Sequence, residues 1–297
     1  MHRYGVDGDG VSEITHIVSI AGGGVGGGGP MSYIAQAESV FCNTLHGVRE
    51  CAFVGNSVGS INASIMALGG HGRDALQLYE KHLGGIFGTK RIRGRMGFGA
   101  LYDDAYANEV LKKEFDVQLG DINAHLFITA WDAVKRDIKV FSTKDEKDKK
   151  TYLWYAVRAS MAAPTYFAPV GPYFDGGLCA NDPAMVGCDA MRRHYGSDKR
   201  YKVARFVTSG KQPDSPKVDP DEFTTTLLKK RLIPAMTQGN SANVGYSLAA
   251  NGHDAFTVRP NMRDYDLADV NFYPECQGIW ESEFLRTGRD FCNWWRT

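Results

Sequence analysis

Short apolar runs alternate with longer segments of helical periodicity along the first part of the chain. Residues 15–21 form a β-rich apolar run that ends at glycine, and this pattern predicts a buried strand. Apolar residues then recur at helical spacing over 31–45, with Pro30 suited to the first turn of that helix. A second short strand is predicted at 51–54, followed by a turn and an apolar helix over 61–68. Strands that alternate with helices in this way predict an α/β sheet with parallel strands.

The remaining apolar patterns continue this arrangement. They predict helices over 104–115 and 152–161, and strands over 126–131, 138–142 and 201–209. The run 144–150 mixes both charges and 211–220 contains three prolines, so both are predicted to be loops. No repeat or low-complexity linker interrupts the sequence. We therefore expect one domain over 1–297, with its motifs within 15–209 and a C-terminal part, 210–297, that the patterns define less clearly.

The composition narrows the class of protein. The chain has 297 residues, 43% of them hydrophobic, which is enough for a sizeable core. Lys and Arg together number 34, as do Asp and Glu, so no overall positive field favours nucleic acid as a partner. The first ten residues lack the apolar region of a signal peptide, and no run approaches the roughly 18 apolar residues of a membrane span. These observations predict a cytoplasmic protein.

Cysteine and histidine are scattered along the chain rather than grouped. The six cysteines include no C-x-x-C pair, and the eight histidines form no metal-binding spacing. We therefore expect reduced thiols, several of them buried, and no bound metal ion.

Three glycine-containing motifs carry the candidate chemistry. The first is a glycine loop, 22–29, directly after the first predicted strand. The second is the G-x-S-x-G pentapeptide centred on Ser57, a pattern that places a serine on a sharp strand-to-helix turn. The third puts the carboxylate of Asp175 before two glycines, where the backbone can turn tightly. Nucleophile, base and backbone donors are the components of a serine acyl hydrolase.

The glycine loop admits two interpretations. Gly22, Gly24 and Gly27 match the G-x-G-x-x-G pattern of dinucleotide-binding folds. That interpretation needs an acid at the end of the second strand to bind the ribose, and the chain has Asn56 and Ser57 there instead. In the other interpretation, backbone N–H groups of the loop form an oxyanion hole, helped by the dipole of the following helix.

The role of Ser57 also has alternatives. A serine at a strand-to-helix turn can simply cap the helix. A hydrolase triad would add an acid and then a histidine downstream, and His194 and His253 both follow Asp175. Neither histidine lies in a glycine-rich turn, so we expect each to be a surface or core residue.

The order of the three motifs resembles that of the patatin-like phospholipase family, which has a G-G-G-x-R-G loop, a G-x-S-x-G turn and a D-G-[AG] motif. Residues 156–167 and 175–184 also resemble the family's segments around its aspartate, and the resemblance runs from about Thr15 to Ser209. It implies an α/β, three-layer fold with a mostly parallel central sheet flanked by helices. It also implies a lipid acyl hydrolase that works through an acyl-serine intermediate on a serine–aspartate dyad, with no metal or organic cofactor.

Carried over position by position, the resemblance makes Ser57 the nucleophile and Asp175 the base that takes its proton directly. It implies oxyanion donors on the backbone of Gly23, Gly24, Val25 and Val58, and it implies these motif glycines: Gly22, Gly27, Gly55, Gly59, Gly176 and Gly177. The chain departs from the family at Gly26, where the family has an arginine that helps to fix the loop. It also has Ala21 in place of an acid.

The resemblance implies a phospholipid or other acyl-lipid substrate and transient contact with a membrane surface, without nucleic acid. A general esterase or acyltransferase with the same dyad stays open, as does a catalytically weak protein that binds lipid or a partner. The basic stretch 90–98 could rest on anionic headgroups or form a solvated loop. We expect the C-terminal aromatic residues to pack against the domain rather than a membrane: Trp280, Phe284, Phe291, Trp294 and Trp295.

Overall fold

The computed structural model describes residues 15–88, 90–91, 99–208, 233–263 and 265–297. The predicted loop at 211–220 and most of the basic stretch lie outside the described residues.

Among the described residues, seven strands form one sheet. In chain order they are β1 (His16–Ile20), β2 (Cys51–Asn56), β3 (Leu126–Asp132), β4 (Asp137–Ser142), β5 (Tyr173–Asp175), β6 (Lys202–Phe206) and β7 (Asp254–Val258). Their order across the sheet is β4-β3-β2-β1-β6-β7, and β5 pairs with β3. The pairings from β3 to β7 along this order are parallel, whereas β4 and β5 run antiparallel to β3.

Helices cover both faces of this sheet. In the described residues they are α1 (Gly29–Phe41), α2 (Leu45–Val48), α3 (Val58–Ala67), α4 (Gly72–Ile86), α5 (Ala105–Glu114), α6 (Leu153–Ser160), α7 (Gly177–Ala180), α8 (Ala184–Tyr195), α9 (Ile233–Ala250) and α10 (Phe272–Arg296). Two short 3₁₀ turns, Gly24–Gly28 and Leu119–Asp121, complete the set.

The alternation of side chains along β1 shows why the fold has three layers. Val18 and Ile20 point into a large core that also contains apolar residues of α1, α3, α4 and α10. Ile17 points to the opposite face, into a second core built with α8 and α9. A strand that is buried on both faces needs helices on both sides. The sheet and its two helical layers confirm the predicted α/β class with a mostly parallel sheet.

The C-terminal aromatic residues pack against the domain, as predicted. Trp280, Phe291 and Trp295 are fully buried. The ring of Tyr33 on α1 meets Phe284 and Phe291 edge to face, with centroids 5.0 and 5.5 Å apart. Helix α10 therefore packs against α1. All six cysteines are unpaired and four of them are buried: Cys51, Cys188, Cys276 and Cys292.

Two predicted helix boundaries were wrong. The helix predicted over 31–45 ends at Phe41, because Cys42 adopts a left-handed conformation with φ 52°. A new turn of helix then begins at Leu45, where the Thr44 side chain accepts a hydrogen bond from the Gly47 amide. The helix predicted to begin at Ile61 begins at Val58 instead, since the serine turn leads straight into it.

Candidate active site

Strand β3 brings the two candidate catalytic residues together. Strand β2 ends on one edge of β3, with Asn56 opposite Thr129. At the next position of β3, Ala130, strand β5 begins to pair and places Asp175 opposite it. At Ala130, strand β4 pairs with one edge of β3. Strand β5 therefore lies along the opposite edge, which is the edge that β2 also pairs with. Ser57 follows Asn56 directly, so the sheet sets Ser57 and Asp175 side by side.

The turn at Ser57 has the conformation that the G-x-S-x-G pattern predicts. Ser57 has φ 51° and ψ −130°, a combination that residues with a side chain seldom adopt. A side chain at Gly55 would overlap the backbone of Gly59, and one at Gly59 would overlap the carbonyl groups at the end of β1. Both glycines are therefore required by close approach, and together they let the serine stand at the tip of the turn.

Ser57 and Asp175 form a direct hydrogen bond. The Ser57 hydroxyl donates to Oδ2 of Asp175 over 2.6 Å. The other carboxylate oxygen, Oδ1, accepts the Gly177 amide over 2.7 Å, which fixes the plane of the carboxylate. Burial raises the pKa of the Asp175 carboxyl to about 6, while the hydrogen bonds from Ser57 and Gly177 act to lower it. A carboxylate with this pKa is a stronger base than an exposed aspartate and is still ionised at neutral pH.

Ser160, at the end of α6, holds both halves of this pair. Its hydroxyl accepts the Ser57 amide over 2.8 Å, and its carbonyl accepts the Gly176 amide over 3.3 Å. Ser160 is fully buried. The sequence placed this serine within the segment that resembles the family but assigned it no role. Its only signal was its position between the two motifs.

The glycine loop lies against the serine turn. A side chain at Gly22 would come within 2.8 Å of the Ser57 Cβ atom, and one at Gly27 would come within 2.8 Å of the Val58 side chain. The Gly22 amide donates to the carbonyl of Asn181 over 3.3 Å. This bond ties the loop to the segment that follows the D-G-G motif. The glycine loop thus contacts both the serine turn and the segment after the D-G-G motif. Sequence reasoning did not find these contacts.

The backbone N–H groups of the loop are not equivalent. The Val25 amide donates to the carbonyl of Leu267 over 2.9 Å, so it is not free to bind an oxyanion, contrary to the prediction. The 3₁₀ turn that begins at Gly24 aims this N–H at the C-terminal segment. The amides of Gly23, Gly24 and Val58 have no acceptor among the described residues.

The two downstream histidines lie away from the pair. His253 is buried; its Nδ1 atom accepts the Tyr201 amide over 3.1 Å, and its ring stacks on that tyrosine. His194 is exposed and its ring meets that of His125. Among the described residues, no histidine forms a hydrogen bond with Ser57 or Asp175. In the described part of the chain, the Ser57–Asp175 pair therefore has no histidine as a third member.

The described residues contain no group of three or more His, Cys, Asp or Glu side chains that could hold a metal ion. Within the same ranges, no helix is both long enough and apolar enough to cross a membrane. Of the basic stretch, the structure describes Lys90 and Arg91. Arg91 pairs with Asp104 over 3.0 Å, and the Lys90 amine lies 5.6 Å from the centre of the Tyr102 ring.

The model of the patatin-like phospholipase family matches residues 18–187, which is more than half of the chain. This chain belongs to the patatin-like phospholipase family. The matched range includes the glycine loop, the serine turn and the D-G-G motif.

Two relatives have names that describe an activity. The cGAMP-activated phospholipase of Vibrio cholerae is 28% identical over 213 residues, which cover 61% of this chain and 59% of that protein. The 85/88 kDa calcium-independent phospholipase A2 of Rattus norvegicus is 36% identical over 157 residues, or 44% of this chain and 20% of that protein. The chain thus spans less than two thirds of the length of either relative.

Among solved structures, VipD from Legionella pneumophila is similar to this chain at 11% identity and a TM-score of 0.41. The similarity covers 92% of this chain and 68% of that protein's chain.

Proposed function

We propose that this protein is a lipid acyl hydrolase that cleaves the carboxylic ester bonds of phospholipids. The observation that carries the proposal is the 2.6 Å hydrogen bond from Ser57 to a buried carboxylate with a raised pKa. Family membership supports lipid hydrolysis, and both relatives described above are named phospholipases. The protein would act from the cytoplasm, at a membrane surface.

The reaction would proceed in two steps. Asp175 takes the hydroxyl proton of Ser57 as the serine oxygen attacks the acyl carbonyl carbon, and the carbonyl oxygen becomes an oxyanion. The amides of Gly23, Gly24 and Val58 would bind that oxyanion. The intermediate collapses to an acyl-serine, and the leaving alkoxide of the lyso-lipid takes the proton from Asp175. Asp175 then removes a proton from water, the hydroxide attacks the acyl-serine, and a fatty acid leaves as the serine recovers its proton.

The test combines product analysis with labelling of the nucleophile. Wild-type protein is incubated with mixed phospholipid vesicles, and the products are identified by mass spectrometry. We expect free fatty acid and lyso-lipid, and we expect a fluorophosphonate probe to label Ser57. Ser57→Ala should lose both, whereas Ser282→Ala, an exposed serine on α10, should keep both.

Two conditions make a negative result meaningful. The assay is run with and without cGAMP, because the name of one relative includes activation by that nucleotide. It is also run with a chelator, which we expect to leave the rate unchanged.

The alternative functions predict other results. A general esterase would hydrolyse soluble esters but not vesicle lipids, and an acyltransferase would move the acyl group to an alcohol. A lipid-binding protein would neither react with the probe nor release fatty acid. Each of these results would contradict the proposal.

A further inference from the structure

The position at which the family carries an arginine is filled from elsewhere in this chain. Gly26 occupies that position, and the phenol ring of Tyr265 lies directly over it. A side chain at Gly26 would overlap the Tyr265 hydroxyl and would come within 2.6 Å of the ring carbon that bears it. The Tyr265 hydroxyl donates to the carbonyl of Gly23 over 3.0 Å. A tyrosine 239 positions downstream thus packs where the arginine side chain would start, and it bonds the same loop.

A second side-chain hydroxyl donates a hydrogen bond to the carbonyl of the preceding loop residue. Thr208, which is buried beyond the end of β6, donates its hydroxyl to the carbonyl of Gly22. A side chain at Gly23 would meet both hydroxyls, at 2.8 Å from Thr208 and 3.2 Å from Tyr265. The two side chains therefore stand next to each other along the loop.

These two bonds, together with the bond from the Gly26 amide to the Gly23 carbonyl over 3.0 Å, determine where the loop's N–H groups point. A peptide group is planar and trans, so its C=O and N–H point in opposite directions. The Gly22 carbonyl shares a peptide group with the Gly23 amide, and the Gly23 carbonyl shares one with the Gly24 amide. A hydroxyl that fixes each carbonyl consequently fixes the N–H on the other side. Those N–H groups are the two loop amides without an acceptor among the described residues.

The tyrosine is itself held firmly. Its ring stacks on Phe272 with centroids 4.2 Å apart and planes 17° from parallel, and Phe272 is fully buried at the start of α10. Two residues further along the same segment, the Leu267 carbonyl accepts the Val25 amide. On the same helix, the Cys276 thiol lies 3.5 Å from the Gly26 carbonyl. Tyr265, Leu267 and Cys276 of the C-terminal segment thus each contact the glycine loop.

We propose that Thr208 and Tyr265 are positioning residues that orient the Gly23 and Gly24 amides toward the oxyanion, and that Tyr265 replaces the family's loop arginine. This inference rests on the proposed function. It assigns a positioning role to residues that lie outside the range matched by the family model.

The first experiment removes each hydroxyl and keeps the shape of the side chain. Tyr265→Phe and Thr208→Val should each lower kcat about three- to tenfold, the worth of one hydrogen bond, with KM nearly unchanged. Thr208→Ser restores the hydroxyl and should restore kcat. Tyr246→Phe is the matched control, because Tyr246 is 79% exposed on α9 and should lose nothing. Wild-type kcat in both Tyr265→Phe and Thr208→Val would overturn the proposal.

The second experiment tests the contact itself and does not depend on turnover. Gly26→Ala should lower both kcat and the denaturation midpoint, because its methyl group runs into Tyr265. In a Tyr265→Ala background, Gly26→Ala should lower kcat and the denaturation midpoint much less, since the obstructing ring is gone. If the wild-type protein showed no ester turnover that Ser57→Ala removes, the proposed function would fail. The midpoints would still decide the contact, and additive effects on them would refute it.

Discussion

The serine turn and the glycine loop both follow a parallel strand, yet different parts of the chain hold them in place. The turn is fixed by β3, by close backbone contacts and by Ser160, all within the range that the family model matches. The loop is held from within that range by Asn62 and Asn181, and also from beyond it by Thr208, Tyr265 and Leu267. The serine turn therefore depends on residues of the matched range, whereas the loop depends on the C-terminal residues as well.

The composition of the two segments explains the difference. Residues 22–29 contain seven glycines and one valine, so the loop has no polar side chain of its own. Within the loop, the Gly26 amide donates to the Gly23 carbonyl over 3.0 Å, but any side-chain hydrogen bond to its carbonyl groups must come from elsewhere in the chain. The serine turn, by contrast, carries Asn56, Ser57 and Ser60, and it ends a paired strand. Removing the Ser57 hydroxyl should therefore affect chemistry alone, whereas changes at the loop glycines should affect chemistry and packing together.

The largest expected effect is at the nucleophile. Ser57→Ala should abolish lipid hydrolysis and leave the fold intact, because the methyl group fits the turn and the hydroxyl donates only to Asp175. The remaining rate should be that of the oxyanion donors and binding, about 10³–10⁴-fold over water in comparable knockouts. Steady-state turnover on vesicles, with circular dichroism as the control for folding, measures this. Turnover near the wild-type level would remove Ser57 from the mechanism.

Asp175→Asn should be nearly as damaging, since no histidine among the described residues bonds Ser57 or Asp175 to share the role of base. The double variant with Ser57→Ala should lose little more than either single variant, because the two residues act as a unit. If the two losses multiply instead, the residues work independently and the dyad is wrong.

Asp175→Asn should raise the stability of the fold although it lowers activity. The folded pKa of Asp175 is about 6 and the ordinary value is 3.8, so between these values the folded state binds more protons. Stability from this group is thus present below pH 4 and is lost as the pH rises through 6. Asp175→Asn removes the buried charge and should gain on the order of 1–3 kcal/mol at pH 8, and nothing at pH 4. Denaturant unfolding at the two pH values checks both parts.

Gly24→Val comes next and addresses the other half of the site. Gly24 has φ +53°, and a side chain there would run into the Leu267 carbonyl. Loss of an oxyanion donor costs about 10²–10³-fold in kcat in a protease of known mechanism, and we expect a loss of that size. The denaturation midpoint should also fall, unlike that of Ser57→Ala. Measuring NAD binding on the same preparation tests the dinucleotide interpretation, which predicts lost nucleotide affinity with intact turnover.

The same contrast shows how far sequence reasoning can reach. Ser57 and Asp175 were predicted from short motifs whose glycines are needed locally, and the mostly parallel α/β sheet was predicted from strands with clear apolar runs. Strand β5 was missed because three residues give no periodic signal, and β7 because only the last of its five residues, Val258, is buried. The Tyr265 contact could not be predicted, because a tyrosine and a glycine 239 positions apart share no local pattern. The missing arginine at Gly26 was the one available sign that some other group must support the loop.

The pH dependence of turnover gives a smaller effect that isolates the base. Asp175 must be ionised to accept the serine proton, so kcat/KM should be constant above pH 7 and fall below about pH 6. Each further pH unit below this point should lower kcat/KM about tenfold, because a single group titrates. Tyr265→Phe should lower the whole curve without moving its midpoint, since the tyrosine acts on the loop. A profile that stays flat down to pH 4 would contradict the assignment of Asp175 as the base.

The smallest expected effect concerns the histidines. His194→Ala should leave both activity and stability near wild type, because His194 is exposed on α8. His253→Ala should also keep most of its turnover, but it leaves the buried Tyr201 amide without its acceptor and should cost about 1–3 kcal/mol of stability. Comparing kcat with the free energy of unfolding for the two variants separates these roles. Loss of turnover in a folded His253→Ala or His194→Ala variant would show that a histidine completes the site, and a triad would then replace the dyad.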